Sequence, residues 1–262
     1  MSQSRGLSEV AERQMRNWAL TLQTQQRLAE EGEVVPVPQL IRPYLAISRE
    51  AGVDAGDLAQ EVAAKCGWKV LDRELLDFMA EHDHLSRLAL EFVDERAVSW
   101  FHEMFGKWLD EQLVSQAEYV ARLGRLVLLA AQHESTIFVG RGAQFMLPRD
   151  RGLAIRIIAP QKDRIRHVMK KRQCSERDAK KFVDETDHGR AQFVQRYFHR
   201  DVTDPHQYDV VVNLERMSRD DAIDLIAHEV KQHEQRLSTE ESGHASAQRQ
   251  FRRLNQPYRP KR

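Results

Sequence analysis

Apolar and polar positions fall in blocks along this chain. Three short runs, Tyr44-Leu45-Ala46-Ile47, Thr136-Ile137-Phe138-Val139 and Leu153-Ala154-Ile155-Arg156-Ile157-Ile158, have strand length without the two-residue alternation of a half-exposed strand. Tyr208-Asp209-Val210-Val211-Val212-Asn213 reads as a fourth strand and Lys69-Val70-Leu71 as a shorter fifth. Runs of this kind belong to strands buried on both faces, as in a parallel sheet. Helical periodicity fills the intervals. Leu58, Val62 and Cys66 share one face of a helix over 57–66, with Gly67 as its stop. From Glu74 to His133 the pattern is helical throughout: Leu75, Leu76, Met79, Leu88, Phe92, Phe101, Phe105, Trp108 and Leu109 recur at helical spacing, and Gln112–Gln132 reads as one long buried helix.

A basic helix over 162–172 follows Ala159-Pro160, and Ser175, with Asp178 three residues on, caps a helix running to Phe198. Ser218 opens a last helix ending near Gln235. Before the first strand, Ser8–Glu31 carries a broad, imperfect apolar stripe, and Glu31–Gln39, with Gly32, Pro36 and Pro38, is a linker. Strands separated by helices predict an α/β fold, a parallel sheet of about five strands flanked by helices with a helical insertion over 74–133. The expected divisions are 1–40, an N-terminal helix and linker; 41–235, the α/β domain; and 236–262, a disordered basic tail.

Composition narrows the class of partner. The 262 residues carry 40 Lys+Arg and 40 Asp+Glu, so the chain as a whole has no charge excess for a polyanion. Its tail, with six basic residues over 249–262 interleaved with Phe251 and Tyr258, offers phosphate contacts and stacking to a nucleic acid, or is simply solvated. Cys66 and Cys174 form no C-x-x-C pair, which argues for a reducing compartment and against a disulfide or zinc framework. No stretch approaches a membrane span and Met1–Leu20 lacks an apolar signal core. The expectation is a cytoplasmic protein with no membrane contact.

Chemistry gathers where strands end. A strand, the small-residue turn Ser48–Gly56 and a helix N-terminus together present free N–H groups and a helix dipole to an anion. A phosphate-binding loop reads G-x-x-x-x-G-K-[ST]. Aligned on Gly52, its first glycine falls at Arg49, its second at Asp54, its lysine at Ala55 and its hydroxyl residue at Gly56. Further motifs at Asp72, Gly140 and Ala159 also lie at strand ends, where parallel sheets bind ligands. Arg141 follows a strand directly, Arg164 lies on the first turn of the basic helix, and Asp187 and Arg190 share a helix face. Arginine forks suit phosphate oxygens. A carboxylate such as Asp72 or Asp187 suits a sugar hydroxyl, a base amino group or a metal.

From Ile41 to about Glu234 the sequence resembles the cytidylate kinase-like family of P-loop nucleoside monophosphate kinases. The family's I-S-R-E-Y-G-S-G-G-R-E-I-A is similar to Ile47–Ala59, and its Y-D-K-E-L-I to Leu71–Leu76. Its G-R-G-A matches Gly140–Ala143, and its strand-A-P with an arginine helix matches Ile158–Arg164. Its K-K-T-D-x-x-R matches Asp184–Arg190, and its D-P-x-x-Y-D matches Asp204–Asp209. The resemblance implies transfer of the ATP γ-phosphate to CMP or dCMP, with Mg²⁺. It implies that Arg49, Gly52, Val53, Asp54, Ala55, Gly56 and Asp57 face ATP, and that Asp72, Arg141, Gly142, Asp187 and Arg190 hold the monophosphate. Arg164 on a lid and Arg190 would be the catalytic residues, with the 74–133 helices on the acceptor side. The loop departs from the family. It has Val53-Asp54-Ala55 for Ser-Gly-Gly and Gly56 for the arginine, which adds a carboxylate where the triphosphate should sit. A catalytically impaired relative that binds a nucleotide or a partner for regulation is therefore the alternative.

Overall fold

The computed structural model describes residues 6–15, 17–18, 41–82 and 114–254. The expected linker, most of the helical insertion and the end of the basic tail lie outside them. Five strands form one all-parallel sheet: β1 (Tyr44–Arg49), β2 (Lys69–Asp72), β3 (Thr136–Val139), β4 (Gly152–Ile158) and β5 (Val210–Asn213), in the order β2-β3-β1-β4-β5. β1 is the middle strand, with Tyr44 opposite Thr136 of β3 and Gly152 of β4. Side chains alternate between two cores. Tyr44, Ala46, Leu71 and Phe138 enter one, and Leu45, Ile47, Ile137, Val139, Ile155 and Ile157 the other. Burial on both faces explains why the runs carry no polar alternation.

Helices α1 (Ala55–Cys66) and α2 (Arg73–Glu81) follow β1 and β2, and α3 (Val114–His133) closes the insertion. Helices α4 (Gln161–Arg172) and α5 (Glu176–Phe198) follow β4, and α6 (Arg219–Leu254) follows β5. One face of the sheet is covered by α2, α3 and the N-terminal helical segment, which inserts Ala11, Met15 and Trp18. The other is covered by α1 and α6, through Leu58, Val62, Ile223 and Ile226. Val168 of α4 and Ala179 and Val183 of α5 form a third, small core with Ala51 of the β1–α1 loop.

Several boundaries move from their expected places. β1 continues to Arg49 and α1 begins at Ala55, so the loop between them is shorter than Ser48–Gly56. β5 starts at Val210, because Tyr208 turns its hydroxyl to the Val202 carbonyl, 2.8 Å away, as the chain leaves a 3-10 turn. The helix expected to stop near Gln235 runs to Leu254. Glu, Gln, Ala and Arg are good helix formers even where few apolar residues remain to pack. Among the described residues no helix is long and apolar enough to cross a membrane.

His133 closes α3 in an apolar setting. It is 8 % exposed, stacks on Trp18 at 6.5 Å between ring centroids, and neither ring nitrogen has a hydrogen bond. Burial, with the Arg42 charge as a lesser cause, lowers its pKa from 6.5 to about 4. The folded protein thus needs the neutral ring. Its stability is full above the ordinary value of 6.5 and falls as pH drops from there toward 4. Urea titrations at pH 7 and pH 4.5 should show roughly 2 kcal/mol of acid destabilisation that disappears in His133→Leu.

Candidate functional site

The carboxyl ends of β1, β3 and β4 open onto a cavity of about 550 Å³, walled on its far side by α5. Five arginines line it: Arg49, Arg73, Arg141, Arg156 and Arg190. Arg49 ends β1 and lays Nη1 over Gly140, where any Cβ would stand 2.1 Å away. That guanidinium end could swing aside, so it is the φ of +90° at position 140 that favours glycine there. Arg141 sits between Gly140 and Gly142 at φ +56°, so the turn after β3 is left-handed over three successive residues. Arg73 is the first residue of α2. Arg156 is 8 % exposed within β4, donates from Nη1 to Ser48 Oγ at 3.0 Å, and lies over the Tyr208 ring at 5.8 Å. Arg190 reaches in from α5 and donates from Nη1 to the Arg49 carbonyl at 3.0 Å, while its buried Nε finds no acceptor.

These cations are poorly neutralised. Only Arg141 has a two-point carboxylate partner, Asp77, through Nε and Nη2. Burial, then repulsion from Arg190 and Arg73, pushes the Arg49 pKa down to about 9. Burial pushes Arg190 down to about 10 despite Asp187 at 3.9 Å. Cations crowded together in a poorly solvated place are held at a free-energy cost that a bound anion removes.

The neighbouring carboxylates hold the β1–α1 loop. Asp187 Oδ1 accepts from the Ala51 amide and Oδ2 from Arg164 Nη1, both at 2.6 Å. Glu50 accepts from the Ala159 amide at 3.0 Å and stands 3.3 Å from Arg164 Nε. Arg164, 8 % exposed, also donates to the carbonyls of Ala159 at 2.9 Å and Ala51 at 3.0 Å. Its backbone passes so close to Gly52 that a Cβ there would meet Arg164 O at 2.7 Å. The expected lid arginine is thus a buried tie between α4, α5 and the loop, because its guanidinium is committed to two carboxylates and two carbonyls.

Of the expected monophosphate group, Arg141, Gly142, Asp187 and Arg190 line the cavity together, and Arg49, expected on the ATP side, joins them. Asp72 does not. Its carboxylate caps α2, accepting from the Leu75 amide at 2.8 Å. Gly52, Val53, Asp54, Ala55, Gly56 and Asp57 lie outside the cavity wall, in the loop and first turn of α1. The Asp54 carboxylate, expected to repel a triphosphate, turns instead to α4. It pairs with Lys171 and stands 2.9 Å from His167 Nε2. Partial burial opposes its ionised form, but the Lys171 hydrogen bond and both neighbouring charges outweigh that and hold its pKa below the usual range. Gly56 faces open space, so glycine has no steric reason there. Arg73, Arg156 and Asp77 escaped the sequence reading. An arginine inside an otherwise apolar strand, as Arg156 is, was the one visible signal.

The model of the Cytidylate kinase-like family matches residues 44–216. No curated protein matches the chain. A crystal structure of an uncharacterized protein from Eubacterium ventriosum ATCC 27560 shares its fold, with a TM-score of 0.58 and 21% identity over 73% of this chain and 99% of that one. Shikimate kinase from Bacteroides thetaiotaomicron matches with 14% identity and a TM-score of 0.41, over 72% of this chain and 98% of its own. With the parallel sheet, the arginine cavity at its carboxyl edge and a family match that spans the whole sheet, the chain belongs to the cytidylate kinase-like family, in the P-loop nucleoside monophosphate kinase group.

Proposed function

We propose that this protein binds CMP or dCMP in the arginine cavity and transfers the ATP γ-phosphate to it. The under-neutralised cluster carries this reading. Five arginines against Glu50, Glu185 and Asp187 leave two positive charges in excess on the cavity wall, and a phosphate monoester carries about −1.5 to −2 near neutral pH. Arg49, Arg141 and Arg190 hold the phosphate, and Phe193 and Val194 give the base an apolar wall beside Thr186 and His188. Phosphoryl transfer asks mainly for positioning and charge neutralisation, which fixed guanidinium groups supply. ATP is placed at the β1–α1 loop, with its phosphates toward the N-terminus of α1.

A Mg²⁺ ion would be held largely by the phosphates of the triphosphate it accompanies. Among the described residues no three His, Cys, Asp or Glu side chains converge, and the loop position for a metal-binding hydroxyl is Gly56.

A second reading, nucleotide binding without turnover, has its own support. Asp187 already occupies the Ala51 amide, and the loop contributes Asp54 rather than a lysine. One pair of measurements separates the two. CMP at a hundred times its Kd should stabilise the fold by about 2.7 kcal/mol, seen as a rise in Tm. A coupled assay with ATP and CMP should release ADP. A Tm shift without ADP would favour the binding-only reading. No shift with either CMP or dCMP would refute both.

A further inference from the structure

Arg141 is held more firmly than a solvent-facing arginine needs to be. Its backbone sits at φ +56°, a conformation that costs a residue with a side chain about 1 kcal/mol or more and survives only where the surroundings enforce it. Three groups enforce it. Asp77 of α2 takes two of its five N–H donors, with Nε donating to Oδ1 at 2.6 Å and Nη2 to Oδ2. The Tyr119 hydroxyl of α3 donates to the same Oδ1 at 2.7 Å, which locks the carboxylate's own rotation. The guanidinium carbon lies 4.8 Å from the Phe193 ring centre and 6.0 Å from that of Tyr119. Asp77 and Arg141 side chains are each only 21% exposed, so water screens the pair weakly.

This arrangement leaves three N–H donors of Arg141 for the cavity, aimed by a carboxylate that lies outside the cavity wall. We propose that Asp77, itself oriented by Tyr119, is the positioning residue of the anion site, setting the fork of Arg141 for the acceptor phosphate. The assignment rests on the cavity being that phosphate's site. Asp77 sits on the helix leading into the 83–113 segment and Tyr119 on the helix leading out of it. The grip on Arg141 therefore depends on how these two helices pack, and anion binding is coupled to that packing.

Electrostatics alone and positioning give opposite signs, which makes the assignment testable. Removing the negative charge of Asp77 should tighten binding of any anion if charge is all that counts. If Asp77 aims Arg141, Asp77→Asn should weaken CMP binding about tenfold, since a charge-assisted contact loses its geometry. The measurement is calorimetric titration of CMP into the full chain, the single variants Asp77→Asn, Tyr119→Phe and Arg141→Gln, and the double variant Asp77→Asn/Arg141→Gln. Tyr119→Phe deletes one hydroxyl and keeps the ring, so it serves even if Asp77→Asn folds poorly, and it should raise Kd a few-fold. In the Arg141→Gln background, Asp77→Asn should change Kd no further, which a role independent of Arg141 would not produce. Tighter or unchanged CMP binding in Asp77→Asn, or equal effects in both backgrounds, overturns the assignment while leaving the cavity as the CMP site. No CMP binding by the natural protein overturns the site reading and this inference with it.

Discussion

Arg49→Met is expected to raise the melting temperature of the ligand-free protein and at the same time weaken CMP binding by roughly ten- to a hundredfold. Both effects have one source. The guanidinium of Arg49 stands largely buried beside Arg190 and Arg73, and burial first and those neighbours second lower its pKa to about 9, because the site disfavours its charge. A methionine of similar length fills the same space over Gly140 without that charge. Replacing a badly compensated buried ion by an apolar group typically stabilises by about 1–4 kcal/mol. In a chain of this size each kcal/mol is worth about 2–4 °C. The bound phosphate reverses the order, because it supplies the missing counter-charge only to the natural protein. Melting curves of both proteins, with and without saturating CMP, should therefore cross. A variant that melts lower than the natural protein and binds CMP equally well would show that Arg49 belongs to the scaffold and not to the site.

Asp187→Ala is expected to cost about 3 kcal/mol of stability, whatever its effect on ligands. Removing this carboxylate strips Arg164, a buried guanidinium, of its closest counter-ion and leaves the Ala51 amide without its acceptor. Breaking one side of a buried pair costs about 3–5 kcal/mol, and the lower end applies because Glu50 remains 3.3 Å from Arg164. Asp187→Asn should lose less, since an amide oxygen still accepts from Ala51. Urea unfolding gives the energies. Amide exchange should place the loosening in α4, α5 and residues 50–54. An unchanged midpoint for Asp187→Ala would mean that the tie from α5 to the loop contributes nothing and that Asp187 serves the ligand alone.

The sheet was legible because its strands are buried twice. Ile137 and Val139 face one core while Phe138 faces the other, so hydrophobicity is continuous and its length marks the strand. The placement of Arg141 and Arg190 at one cavity followed from their positions after or beside such strands within recognisable motifs. Asp72 has two readings because an acid before a helix can cap it or meet a ligand, and here its carboxylate accepts from the Leu75 amide as a cap. The ties of Arg164 were hidden for a different reason. Its partners Glu50 and Asp187 lie 114 residues before and 23 after it along the chain, and only the folded sheet brings them together. Asp54 belongs to the same class, since its neutralisation by Lys171 depends on α4 crossing the loop. Asp77 gave no signal at all, being one acid among many on an amphipathic helix.

The strand order has a consequence for how the chain becomes a protein. Among the described residues β1 is the earliest strand in the chain and the central one, yet its neighbours are the third and fourth. Tyr44 meets Thr136 on one side and Gly152 on the other. At ribosomal speeds of about 5–20 residues per second, roughly 5–20 s pass before either partner has been synthesised. Throughout that interval Leu45 and Ile47 have no strand to pair with, and pairings this distant in sequence close slowly even in a finished chain. The nascent segment thus keeps apolar surface exposed for that interval, and the sheet should consolidate late, once β3 and β4 arrive to enclose it.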